Sequence, residues 1–230
     1  MQKNGLPHEE IKYIIKIKKQ MIKIGIDFSL VSPAVCIYKD NKYTFISFFD
    51  DKGKNWEQSK SKEFHYHQEL SKFMELNPYT RNIDKVDYRT EQQTKMKSAR
   101  MIADKITTRL KEIVGDEEVV VGIEGFSYGS ISSSTLDLAL YNSFLRLRLL
   151  DEFGEDCIKI ISPTEGKKNL SGKGNAIKDL MIQSFIENKT DDPDIERCDF
   201  WKFCKENKLD YKYIKPIDDL VDSFGILISI

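Results

Sequence analysis

The sequence predicts an α/β protein built on a mixed five-stranded sheet with helices on both faces, in the order βββ-α-β-α-β-α-α. Three observations predict it. Short β-branched runs at 22–27, 34–39 and 43–49 are separated only by turn residues, which describes a three-stranded meander. Two later apolar runs, 118–123 and 157–161, each follow a stretch of helical periodicity, as strands joined by crossover helices do. The runs around KIGIDFS (23–29) and VVVGIEGFSYG (119–129) are apolar at successive positions, the pattern of strands covered on both faces.

With 230 residues, 40% of them hydrophobic, the chain is long enough for one domain with insertions. Residues 1–20 read as an appended arm, and residues 21–230 as a single domain interrupted near 50–94 and 188–215. Met21 stands directly before the first strand, so the native start is either Met1 or Met21. Lys+Arg (36) and Asp+Glu (37) nearly cancel to a net charge of −1, so bulk charge neither announces nor excludes nucleic acid. The four cysteines lack C-x-x-C spacing, which fits reduced thiols and predicts neither disulfide nor zinc site. No stretch approaches the ~20 apolar residues of a membrane span, and no secretory leader is visible. The expectation is a soluble, cytoplasmic protein.

The meander turns at Ser32-Pro33 and at Lys39-Asp40-Asn41-Lys42. From Asp50 to about Thr94 periodicity weakens and aromatics interleave with lysines and arginines, so this stretch reads as an insertion. In it, His65 and His67 lack a third ligand and read as surface residues. Ala99, Ile102, Ala103, Ile106, Leu110 and Ile113 then recur with helical spacing over 95–114, stopped by Gly115. After the strand at 118–123, Ser132–Ser134 offer the cap of a helix running to about Leu150 whose apolar residues cover more than one face. That helix is the expected homodimer surface, with Leu138, Tyr141, Phe144 and Leu145 as its contacts. The strand at 157–161 leads into a Gly-containing loop at 166–174 and a helix at 175–187. A short helix near 196–207 and a last helix from about Ile217, after Pro216, complete the order.

Chemistry enters with the acids. Asp27 and Glu124 each end an apolar strand, while Asp219 and Asp222 lie three apart on the last helix and so share a face. Asp218 reads as the cap of that helix. A carboxylate following an apolar run, as Glu124 does, is costly to bury unless paired or coordinated, and carboxylates that meet in space need cations. GIDFS alone also resembles the phosphate loop of sugar kinase and actin-like folds, which normally need two such domains.

The layout of Asp27, Glu124, Asp219 and Asp222 resembles the RNase H-like superfamily, and one further segment sharpens the likeness. In SPTEGKKNLSGKGNAIKD (162–179), Lys167 lies five residues before Gly172 and Lys178 four after Gly174. This spacing looks like that of the RuvC family of Holliday junction resolvases, over roughly residues 22–50 and 95–230. The resemblance implies metal-assisted hydrolysis of a phosphodiester by two Mg²⁺ ions about 4 Å apart, with Mn²⁺ able to substitute. Asp27 would bridge the ions, Glu124 and Asp219 would hold one each, and Asp222 would complete the set. Lys167 and Lys178 would place positive charge beside the phosphate. The Gly172–Gly174 stretch and the helix N-terminus behind it would bring N–H donors toward the same group.

Lys168 and Lys173 of this basic loop, together with Phe126, Ser127 and Tyr128, are the expected DNA contacts. The family carries an aromatic three residues after the second acid; here that place is Ser127, flanked by Phe126 and Tyr128. The FSYGS form looks more like phage-encoded relatives, which would place the protein in the cytoplasm of a host cell. Implied, then, is a homodimeric endonuclease for four-way or other branched DNA. The alternatives are an RNase H-fold nuclease for another substrate, such as packaging-type cleavage or RNA in hybrids, and a non-catalytic junction-binding module.

Overall fold

The computed structural model describes residues 21–51, 69–126, 133–207 and 216–230. Strands β1 (Ile22–Asp27), β2 (Ala34–Lys39) and β3 (Lys42–Asp50) form the expected antiparallel meander. Its second turn is a two-residue hairpin: Lys39 faces Lys42, and Asp40 and Asn41 take φ values of 51° and 58°. Asx residues tolerate this left-handed backbone, and the primed turn matches the twist of the strands.

Among the described residues the sheet has six strands rather than five. Strand β4 (Glu75–Tyr79) pairs in parallel with the outer edge of β3, inside the stretch read as an insertion. Its sequence, ELNPY, is polar and contains Pro78, which an edge strand tolerates because one row of its N–H groups has no ladder partner. Helix α1 (Tyr88–Val114) also begins earlier than its apolar spacing shows, because Asp87 accepts from the Thr90 amide at 2.9 Å and caps it. Gly115, at φ 59°, ends it by donating to the Lys111 carbonyl.

Strand β5 (Val119–Glu124) runs parallel to β1, and β6 (Ile158–Ile161) parallel to β5, giving the order β4-β3-β2-β1-β5-β6. Helix α2 (Ser133–Phe153) joins β5 to β6. The segment expected as a loop at 166–174 is mostly helix: α3 spans Pro163–Ser171. The following helix α4 is shorter than expected, Lys178–Ile186, and α5 (Asp199–Glu206) and α6 (Ile217–Leu227) complete the chain. Among the described residues no helix is long and apolar enough to cross a membrane.

Both faces of the sheet are covered. Ile22, Ile24 and Ile26 of β1 join Val119, Val121 and Ile123 of β5 in one core with α1 and α2. The opposite core takes Ala34, Cys36 and Phe45 from the sheet and closes over them with α4, α5 and α6. Tyr141 and Leu145, expected at a dimer surface, are buried in the first core, and Leu138 and Phe144 pack against it. The helix is apolar on more than one face, and the sheet takes the face these four occupy. Exposed instead are Leu136, Leu147 and Leu150.

Candidate active site

Strands β1 and β5 share a local pattern, Gly-Ile-Asp and Gly-Ile-Glu, in matching register: Gly25 faces Gly122 and Ile26 faces Ile123. Side chains alternate along a strand, so the isoleucines point into the α1/α2 core while the glycines and the acids share the other face. Helix α6 lies on that face. A Cβ on Gly25 would stand 2.2 Å from the Ser223 carbonyl oxygen and 2.5 Å from the Leu227 amide; one on Gly122 would meet Ile226 at 3.1 Å. The two glycines admit the helix backbone, and Asp219 and Asp222, one turn upstream of these contacts, come over the strand ends that carry Asp27 and Glu124.

Electrostatics agree with this placement. Burial raises the Glu124 carboxyl above its usual range, the nearby Lys167 ammonium opposes the shift, and the charge of Asp219 adds to it. Asp222 is pushed up to about 7, by burial first and then by Glu124, Asp219 and Asp218, against the pull of Lys167. Asp27 and Asp219 are buried, at 8% and 3% exposure. The Ser32 hydroxyl donates to the Asp219 carboxylate and ties α6 to the β1–β2 loop. The sequence marks Ser32 as a turn residue, and nothing local points it at a carboxylate 187 positions away.

Lys167 reaches the acids because of where α3 begins. The Ser162 hydroxyl accepts from the Glu165 amide at 3.2 Å and Pro163 occupies the first turn, so the helix starts where β6 ends, beside Glu124. Gly166 then meets Gly225 of α6: a Cβ at 225 would lie 3.1 Å from the Gly166 carbonyl oxygen. This contact brings Lys167 within electrostatic reach of Glu124 and Asp222.

The rest of the basic loop differs from expectation. Gly172 (φ 78°) terminates α3, donating to the Lys168 carbonyl at 2.8 Å, and the site of a Cβ on Gly174 lies 3.1 Å from the Thr164 carbonyl oxygen. These glycines close a helix and pack against its first turn, so their backbone freedom is already used within the protein. Lys178 opens α4 and pairs with Asp218, which is buried and does not cap α6. Acids favour a helix's first turn, which makes Asp218 the expected cap, but Pro216 stands at the cap position instead. Lys168 and Lys173 are exposed, as is Phe126 at 36%, whereas Ser127, Tyr128, His65 and His67 lie outside the described residues.

The donor set suits a hard divalent cation: all four donors are carboxylates, Asp27 and Asp219 are buried and Glu124 and Asp222 half-buried, and burial together with mutual repulsion raises Asp222 to about 7. Among the described residues, however, no three of His, Cys, Asp and Glu are drawn together in metal-holding geometry.

No protein-family model matches the chain, and no curated protein matches it. Among solved structures it is similar to RuvC of Thermus thermophilus, at 9% identity over 91% of this chain and 92% of that one, with a TM-score of 0.45. It is similar to the yeast mitochondrial Holliday junction resolvase Ydc2 at 15% identity, 98% and 85% coverage and a TM-score of 0.49. It is similar also to the Fowlpox virus resolvase, solved with Holliday junction DNA, at 16% identity, 91% and 95% coverage and a TM-score of 0.35.

Proposed function

We propose that this chain is a RuvC-like, divalent-metal-dependent endonuclease that resolves Holliday junctions or other branched DNA by phosphodiester hydrolysis. The observation that carries the reading is the set of carboxylates on the face of β1 and β5 covered by α6, with Lys167 beside it. Asp27, Glu124, Asp219 and Asp222 would hold Mg²⁺, or Mn²⁺ in its place, and bound there the ions supply an activated water and charge for the leaving oxygen.

The protein's own groups have distinct tasks. Asp27 and Glu124 sit on rigid neighbouring strands, and the Ser32 hydroxyl fixes the direction of Asp219. Lys167 holds positive charge where negative charge grows on the phosphate oxygens, in a site whose burial strengthens the interaction. Exposed Lys168 and Lys173 offer charge to the backbone of the bound strand. A two-fold homodimer would match a substrate with two equivalent strands.

Cleavage of a labelled four-way junction in Mg²⁺, beside duplex, flap and RNA–DNA hybrid controls, tests the reading. Junction-selective nicking is expected, with Asp27→Asn and Glu124→Gln abolishing cutting and leaving binding intact. Undiminished cutting by the double variant would refute the site. A second reading, a non-catalytic junction-binding module, draws on the lack of a formed metal cage among the described residues. It predicts junction binding unchanged by Mg²⁺ or Mn²⁺ titration and no product at any concentration.

A further inference from the structure

Helix α2 sends to the same end of the sheet one side chain that the proposed reaction does not use. Arg146 donates from Nη2 to the main-chain carbonyl of Glu124 at 2.7 Å, and its guanidinium carbon lies 4.2 Å from the centroid of the Phe126 ring. Its Nε is buried and has no hydrogen-bond partner. No ion pair with a carboxylate is formed by Arg146 among the described residues, and burial alone pulls its pKa below the ordinary value. A cation in this state costs stability, since the buried Nε donor is unsatisfied and one carbonyl and one ring face only partly compensate the desolvated charge. Costly local arrangements of this kind concentrate where function demands them.

What the arginine holds together is specific. One contact is to Glu124, which contributes a carboxylate to the site, and the other is to the aromatic two residues beyond it. The guanidinium occupies one side of the Phe126 ring, which remains 36% exposed. A ring backed by a cation and open to solvent is a flat platform of the kind on which unstacked nucleobases lie.

We propose that Arg146 is a positioning residue that fixes Phe126 as a stacking platform for an unpaired base and ties that platform to the Glu124 end of β5. The base and the phosphate to be cut are thereby held at a set separation. This rests on the nuclease reading given above.

The test uses a four-way junction carrying 2-aminopurine at the crossover, bound to full-length protein in a Glu124→Gln background, with cleavage followed in the native background. Arg146→Met keeps the side chain's bulk and removes the unpaired charge; Arg146→Lys keeps charge without the flat fork. Arg146→Met is expected to melt at or above the temperature of the unsubstituted protein, and Arg146→Lys, which keeps the charge, at or below it. Both should lose the 2-aminopurine fluorescence increase to the extent that Phe126→Leu does, and cleavage should fall roughly tenfold to a hundredfold, as small misplacements cost. Combining Arg146→Met with Phe126→Leu should add no further loss. Retained fluorescence and cleavage in both variants would overturn the proposal. So would a lower melting temperature in Arg146→Met together with lost binding, which is how a merely structural arginine behaves. If the unsubstituted protein neither binds nor cuts the junction, the nuclease reading itself has failed, and that result is distinct from either.

Discussion

Gly25 of β1 lies directly beneath Ser223 of α6, with only 2.2 Å between the site of a Cβ at position 25 and the Ser223 carbonyl oxygen. The three atoms nearest that Cβ, the Ser223 carbonyl oxygen and the Leu227 amide nitrogen and Cβ, are backbone or the root of a side chain, so nothing can swing away. Gly25→Ala must therefore lift α6, and with it Asp219 and Asp222, from the strands that carry Asp27 and Glu124. Overpacking of this kind costs roughly 1–3 kcal/mol, and the upper end is expected here. Gly122→Ala meets the movable end of Ile226 at 3.1 Å and should cost the lower end. Urea denaturation of the two variants checks the order, and equal losses would contradict the backbone contact.

Asp222 gives the metal-free protein a pH dependence of definite sign. Its carboxyl is raised to about 7 in the folded state from an ordinary value of 3.8. The stability it contributes is therefore complete below the unfolded value and is lost as pH rises through the folded one. In chelator, the melting temperature of the native protein should fall between pH 5 and 8 by several degrees more than that of Asp222→Asn. Added Mn²⁺ should restore most of the difference at pH 8, because a bound cation favours the ionised carboxylate. Parallel melting curves for the two proteins across this range would expose an error in the assignment.

The two lysines expected to serve alike are predicted to part company. Lys167 faces Glu124 and Asp222, while the charge of Lys178 is engaged by Asp218. Lys167→Met should lower the cleavage rate about 10²- to 10³-fold at saturating junction, the range seen when one stabilising donor is lost. Lys178→Met should lose chiefly stability, because it strips a cation from buried Asp218, and Lys178→Met with Asp218→Asn should recover much of it. Single-turnover cleavage and thermal melting of the four proteins separate the roles.

What the sequence disclosed, and what it hid, follows from the kind of signal each element carries. Asp27, Glu124, Asp219 and Asp222 were legible because apolar frames surround them, and the meander and the α1 core face were legible from periodicity. Strand β4 was hidden because an edge strand needs little hydrophobicity and tolerates Pro78. Helix α3 buries only Gly166 and Leu170, so it has almost no apolar stripe; its signal lay in Ser162-Pro163-Thr164-Glu165, a capping box with proline in the first turn, and in Gly172 past its end. The shared Gly-Ile-acid pattern of β1 and β5 was on view, but its meaning needs the helix that the glycines admit. Ser32, Asp218 and Arg146 act across long sequence separations, and no local pattern encodes such partners.

A dimer, if it forms through α2, must use a face other than the one buried in the core. Leu136 and Leu147, at 63% and 59% exposure, are three helical turns apart and fall on one stripe, with Leu150 one turn further along. Tyr141 and Leu145 cannot contribute, since both are enclosed. Leu147→Glu should leave the melting temperature of the monomer within about 0.5 kcal/mol equivalent of the native value, as surface substitutions do. At the same time it should shift sedimentation from dimer to monomer and uncouple the two nicks, so that singly nicked junctions accumulate. Tyr141→Ala should do the reverse, costing about 3–5 kcal/mol of stability through the cavity it opens, with the oligomeric state of the folded fraction unchanged. A monomeric native protein, or a dimer indifferent to Leu147→Glu, would move the interface off this helix.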